Sequence, residues 1–318
     1  MQAAPSTIKK RNRVEGSGMA KKYSSLILMT LPGVLYLFIN NYLPMLGTFI
    51  AFKNINYTKG IFHSDWVGFK NFEFLFKSQD AFIITRNTLL YNGTFIIVNN
   101  LIIALLVALL LNEIKNRFAR NLYQSIMLLP FLISFSIVGY IVLAFFSIEH
   151  GFINKVIFPF LHIQPIEWYL ESKYWPYILV IVNTWKYVGY SSLIYFAAMI
   201  GINQEYYEAA RMDGANRWLQ MTKITLPLIR PVVIVVVLIL IGRIFYADFG
   251  MFFQVPLNTG ILFSTTNVID TYVYRALLVT GDIGMSSAAG LYQSTVGFVL
   301  VIIANMLVRK WDKESALF

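Results

Sequence analysis

Apolar residues in this chain come in long unbroken runs rather than in the alternation of a half-buried strand. The runs cover 24–52, 84–111, 121–148, 174–200, 231–250 and 288–308. Each is about 18 residues or longer and almost free of charge, the length at which an α-helix crosses roughly 30 Å of hydrocarbon. The pattern predicts an all-α integral membrane protein with six transmembrane helices over 24–308, a basic N-terminal arm over 1–23 that is too polar to pack, and a short tail over 309–318. In the first polar interval, 53–83, the aromatics Trp66, Phe69, Phe72, Phe74 and Phe76 have the spacing of a short helix lying at the membrane interface. In the interval 249–287, Tyr272 and Tyr274 flank Val273 within a stretch rich in Gly, Ser, Thr and Asn. That stretch is either a cover over the helix ends or a lip at an entrance.

Composition supports this reading and removes several kinds of chemistry. Hydrophobic residues make up 57% of the 318 positions and charged residues 13%, far from the balance of a soluble domain. There is no cysteine and there are three histidines, His63, His150 and His162, so disulfides, thiolate metal sites and a multi-histidine centre drop out. The net charge of +10 raises the question of a nucleic-acid partner, which the positions of the charges answer. With the N-terminus in the cytoplasm, the inner segments carry about 16 Lys and Arg against about 8 outside, as the positive-inside rule requires. The charge is thus used for orientation, both termini are expected in the cytoplasm, and no nucleic-acid partner is implied. The basic arm before the first run is signal-like, but 24–52 exceeds a secretory apolar region and lacks a small-x-small cleavage site, so a retained helix is expected.

The inner segment 203–231 reads as a helix, a tight turn and a second helix. Asn203 is placed to cap the first helix with Glu205 in its first turn, Gly214 can take a positive φ at its end, and Asp213 or Asn216 can cap the second helix. Trp218, Met221 and Ile224 recur at helical spacing, and Pro227 and Pro231 are expected to end this helix and open the next span. Ala209 and Ala210 beside Glu208 offer a small, flat surface that another protein's backbone can approach, and a carboxylate such as Glu208 or Asp213 buried there would need a cation from that partner.

The segment resembles the EAA loop of type I ABC importer permeases: Glu208, Ala209, Ala210, Asp213, Gly214, Ala215, Ile224, Leu226, Pro227 and Pro231 stand in register with its pattern. The likeness extends to Trp66–Phe72, similar to the VGLxNF stretch of sugar permeases, and to 151–154 and 185–189. Within that family the chain looks nearest the MalF-like carbohydrate permeases of LplB and alginate-importer type, without the extra N-terminal helices or the large extracytoplasmic insertion of maltose-type MalF. The resemblance implies a half-transporter that pairs with a second, similar permease, two ATPase subunits and an extracytoplasmic solute-binding protein, and that imports an oligosaccharide. The EAA loop, with Glu208, Ala209, Ala210, Asp213, Gly214 and Ala215, would couple to the ATPases. ATP and Mg would be bound by those partners, so no cofactor and no catalysis are expected in this chain, which has no phosphate-binding G-x-x-x-x-G-K-[ST] loop.

Ionisable groups inside spans are costly and therefore candidates for function. Lys186 and Arg243 are placed near mid-span and Asp248 near an outer end; with Trp185, Tyr190 and Tyr246 they form a candidate cargo pathway, since sugars stack their C–H faces on rings and need polar partners for their hydroxyls. Two cations without a carboxylate at matching depth point to an acidic oligosaccharide. An ion-coupled secondary transporter is the alternative; it would ordinarily keep carboxylates at mid-membrane, and the spans show none. A membrane enzyme would need paired catalytic groups at one depth, and Glu149 and His150, as sequence neighbours, point apart on a helix.

Overall fold

The computed structural model describes residues 23–311 and residue 316; the basic arm, expected to be unpacked, and most of the tail lie outside the described residues. The chain divides into one unit up to Phe49 and a second from Ile50 onward. The first unit holds most of helix α1 (Ser24–Phe52), which is long and apolar enough to cross a membrane. It runs through Pro32 and tightens from a π-type turn at Phe38–Tyr42 to a 3-10 end at Leu46–Phe52.

The second unit is built on helices α2 (Gln79–Glu113), α3 (Arg117–Leu132), α4 (Phe135–Phe146), α5 (Trp175–Ile200), α6 (Gln204–Met212), α7 (Arg217–Gly242), α8 (Phe249–Gln254), α9 (Ile269–Arg275) and α10 (Ile283–Trp311). Its only sheet among the described residues pairs β1 (Lys53–Asn54) with β2 (Asp65–Trp66), antiparallel, Lys53 opposite Trp66. With α1, helices α2, α7 and α10 are long and apolar enough to span, and α3 with α4 adds a further span if the two are counted as one. At 26 residues, α5 is about 39 Å long. It is the helix around which the others pack: Trp175, Leu179 and Val182 on its first half enter one core cluster with Val138, Met251 and Leu262, and Tyr195, Phe196 and Met199 on its second half enter another with Ala104, Ala108 and Ile229.

The sequence reading holds for where the helices lie and fails at their breaks. The third segment, expected as one helix, is two, bent by 97° at Ile133–Ser134. At about 24 and 18 Å, neither half alone crosses 30 Å of hydrocarbon. The fifth segment starts earlier than expected and ends earlier. Helix α7 runs from Arg217 straight through Pro227 and Pro231, because a π-type turn at Met221–Thr225 leads into Leu226 and places Pro227 at the start of the α-helical stretch. It then stops at Gly242, and an irregular stretch, 243–248, leads to α8. The aromatics of 53–83 do not share one helix. They are divided between β2, a 3-10 turn at Gly68–Phe72 and a short helix at Phe74–Lys77. Tyr272 and Tyr274 sit on α9 and are packed, Tyr272 stacked on Phe74 and Tyr274 against Phe249 and Phe253.

Candidate coupling loop and transport cavity

The loop between α5 and α7 is shaped by local hydrogen bonds that its sequence specifies. Asn203 Oδ1 accepts the Glu205 amide at 3.1 Å and caps α6. At the other end, Gly214 takes φ +78°, the Ala215 amide donates to the Ala210 carbonyl at 2.8 Å, and the Gly214 amide donates to that of Arg211 at 3.0 Å. This is a Schellman motif, which needs a residue free to adopt the left-handed region. Asn216 then caps α7 by accepting the Leu219 amide at 2.8 Å, while Asp213 closes α6 with its backbone. The loop is held against the helices by Tyr207, buried, with its hydroxyl 2.9 Å from Thr225 Oγ1, and by an ion pair from Arg217 to Glu113 at the end of α2.

Apart from Tyr207 and Ala210, the residues of α6 face outward. Glu208, Ala209 and Asp213 are exposed, Ala210 and Ala215 half-buried, and the apolar side chains of Tyr206, Met212 and Trp218 stand 57, 88 and 69% exposed. Among the described residues neither Glu208 nor Asp213 has an ion-pair partner. A rigid turn that displays large apolar side chains beside unpaired carboxylates has the composition of a protein–protein contact. A polar cleft of about 550 Å³ opens behind it, between Glu113 and Lys115 on one side and Tyr207, Arg211 and Arg217 on the other.

The second site is a cavity of about 490 Å³ where α7 breaks off. Asn92, Phe95, Ile96 and Asn100 of α2, Phe131 of α3, Asn183, Tyr187, Tyr190 and Ser191 of α5, Leu240 of α7 and Arg243, Tyr246, Ala247 and Asp248 of the irregular stretch line it. Backbone that leaves a helix inside a membrane protein must find other partners for its polar groups. Asn92 Nδ2 donates to the carbonyls of Ile244 and Tyr246 at 2.7 and 3.1 Å, Gln293 Nε2 donates to that of Phe245 at 2.7 Å, and Asp270 Oδ2 accepts the Ala247 amide at 2.7 Å. Asp248 caps α8 through the Met251 amide at 3.2 Å, and its other oxygen accepts the Tyr187 hydroxyl. The Tyr246 hydroxyl meets Ser294 Oγ at 2.5 Å. Between α2 and α5, Asn99 donates to Asn183 and accepts the Thr184 hydroxyl.

Of the residues singled out from sequence for cargo, the structure brings Tyr190, Arg243, Tyr246 and Asp248 to this cavity and leaves Trp185 and Lys186 out of its lining. Trp185 points outward, 44% exposed. Arg243 is exposed at the end of α7 rather than mid-helix. Lys186 is buried, but its Nζ donates to the carbonyls of Pro130 and Phe131, both at 3.2 Å, and to that of Ile133. The two cations therefore do not mark an acidic cargo by being unopposed: one is committed to backbone, and the other shares its cavity with a carboxylate. Tyr187, on the same aromatic face of α5, also reaches the cavity, whereas Asn92, Asn183 and Gln293 were missed. The signal available was the set of amides inside otherwise apolar runs. Among the described residues no group of three His, Cys, Asp or Glu is placed to hold a metal.

Residues 100–313 match the family of binding-protein-dependent transport system inner membrane components. Protein LplB of Bacillus subtilis (strain 168) is 37% identical over 300 residues, 93% of this chain and 92% of that protein. The polygalacturonan/rhamnogalacturonan transport system permease protein YteP of the same organism is 34% identical over 311 residues, 96% and 94% of the two chains. Among solved structures, a chain of a bacterial ABC transporter involved in the import of the acidic polysaccharide alginate matches with a TM-score of 0.83 and 31% identity, covering 92% of this chain and 98% of that one. A chain of a bacterial alginate ABC transporter in complex with an alginate pentasaccharide-bound periplasmic protein matches at 0.84 and 30%, covering 95% and 99%. The ion-coupled alternative is not the family matched. On more than half of its length by the family match, and on nearly all of it by these relatives, the chain belongs to the binding-protein-dependent transport system inner membrane components.

Proposed function

We propose that this chain forms half of the membrane pathway of an oligosaccharide importer, with the 203–231 loop docking on a separate ATP-binding-cassette ATPase and the cavity at the end of α7 passing the cargo. The observation that carries the coupling role is the rigid Schellman turn of α6, which holds Glu208 and Asp213 exposed and unpaired beside the apolar tips of Met212 and Trp218. A cationic, grooved partner would neutralise those carboxylates and cover the apolar tips, and motion of the partner would be transmitted through the anchored Tyr207 into α7.

The other half of the pathway would be a second, homologous permease; two ATPase subunits would bind ATP and Mg and hydrolyse it, and an extracytoplasmic solute-binding protein would deliver cargo. Both termini would lie in the cytoplasm of the inner membrane, with 1–23 and 309–318 as flanking arms and 24–308 as the permease domain. The cavity favours a carbohydrate because it joins the rings of Phe131, Tyr187, Tyr190 and Tyr246 to amides and hydroxyls. Relatives named for polygalacturonan and alginate support an acidic oligosaccharide, for which Arg243 is the cation within the cavity.

The test is co-purification with partner permease and ATPase, comparing wild type with Glu208→Arg and recording ATP hydrolysis stimulated by the loaded binding protein. Loss of ATPase recovery and of stimulation in Glu208→Arg is expected. A mutant that assembles and turns over like wild type removes Glu208 from the coupling role, and a wild type that recovers no ATPase removes the importer reading.

A further inference from the structure

Lys186 is a cation buried to 4% exposure on the central helix, and the cavity does not use it. Its surroundings explain what it does. The last carbonyls of a helix have no partner within the helix and carry its negative dipole end. Helix α3 ends at the 97° break into α4, within a stretch that is apolar enough to cross a membrane when the pair is counted as one span, where hydrocarbon offers no donor to such carbonyls. The Lys186 ammonium meets three carbonyls at that bend, those of Pro130, Phe131 and Ile133, and lies 4.7 Å from the centre of the Phe135 ring on the far side of the break. One turn further along α5, on the same face, Gly189 lets the α3 backbone come so near that an added Cβ would stand 1.9 Å from the Met127 oxygen. The two residues together fasten the end of α3 to α5.

The fastened element is a wall of the cavity. Phe131, whose carbonyl accepts from Lys186, stacks its ring on Tyr190 with centroids 4.5 Å apart and planes within 9°, and both rings line the cavity. We infer that Lys186 is a positioning residue: its ammonium pins the broken third span and so sets the Phe131–Tyr190 aromatic wall, without touching cargo itself. The consequence for transport rests on the reading of that cavity as the cargo passage; the pin itself does not.

The chain has no cysteine, so a pair placed at Phe131 and Tyr190 reports their separation without background from other thiols of this chain. The experiment uses the importer assembled with its permease, ATPase and binding-protein partners in lipid nanodiscs. Cross-linking of Phe131→Cys/Tyr190→Cys by a short bis-methanethiosulfonate is measured with Lys186 present and in the Lys186→Met, Lys186→Gln and Lys186→Arg backgrounds. In parallel, the half-saturation and maximal rate of oligosaccharide uptake are measured for the single Lys186 variants. The inference requires loss of the cross-link in Lys186→Met and its retention in Lys186→Arg. Half-saturation should rise about tenfold in Lys186→Met, as the loss of one stacking contact would give, with a smaller change in maximal rate and recovery in Lys186→Arg. Undiminished cross-linking in Lys186→Met overturns the inference. So does failure of both Lys186→Met and Lys186→Gln to assemble, which would make Lys186 a requirement for folding rather than for position. Loss of the cross-link with unchanged half-saturation upholds the pin and instead refutes the cavity as the cargo passage.

Discussion

Gly189→Ala is the smallest change that should pry α3 from α5. The added methyl would lie 1.9 Å from the Met127 carbonyl oxygen and 2.4 Å from its carbon, whereas real Cβ atoms essentially never come nearer than 3.0 Å to such a neighbour. The difference, 3.0 − 1.9, is 1.1 Å, and because the obstacle is backbone no side chain can swing aside to supply it. The helices must therefore separate locally by at least that much. Overpacking of this kind costs about 1–3 kcal/mol. Lys186, one turn away, holds the same helix end by two bonds of 3.2 Å, which a displacement of this size would break. Gly290→Ala in α10 is the internal control: among the described residues no atom beyond its own helical turns lies within 4 Å of the position its methyl would occupy, so helix propensity should act alone and stabilise by about 0.5–1 kcal/mol. Thermal unfolding in detergent, followed by the loss of the monodisperse chromatographic peak, should show Gly189→Ala falling by roughly 2–6 °C and Gly290→Ala level or raised. A Gly189→Ala protein as stable as the Gly290→Ala control would refute the close approach, and with it the fastening of α3.

Other expectations rest on single groups. Gly214→Ala meets no atom within 4 Å, yet must hold φ +78°, so it should cost about 1 kcal/mol by strain alone and lower binding-protein-stimulated ATP hydrolysis more than it lowers the melting temperature. Tyr195 is fully buried, and among the described residues its hydroxyl has no hydrogen-bond partner, so Tyr195→Phe should leave the melting temperature unchanged or raise it; a clear fall would mean that the hydroxyl has a partner. Asn92→Leu strips the donors from the Ile244 and Tyr246 carbonyls and should cost about 1–3 kcal/mol, visible as early unfolding and as faster proteolysis at 243–248.

How legible each part was in the sequence depends on how local its determinants are. The turn of 203–216 was legible nearly bond by bond, because Asn203, Gly214 and Asn216 act on backbone two to five residues away, and each residue type has few physical reasons to stand where it does. The breaks at Ile133 and Arg243 were not, because hydropathy averages over a window: the first lies within a run apolar enough to pass as one span, and the second within a run whose Arg243 and Asp248 are diluted by Ile244, Phe245, Tyr246 and Ala247. The groups that permit them are remote: Lys186 for the first, and Asn92, Gln293 and Asp270 for the second, from 23 to 154 residues away along the chain. The same remoteness misassigned the charges. A lysine inside an apolar run reads as a group awaiting a charged ligand, and only the fold shows that carbonyls at the broken end of another helix already occupy it. In a membrane protein, then, a lone polar residue within a span carries two questions, what it could bind and which interrupted helix needs it. The second takes precedence, because an unsatisfied carbonyl in hydrocarbon costs several kcal/mol whether or not cargo is present. Arg243, exposed in the cavity at the end of α7, is where the first question still applies.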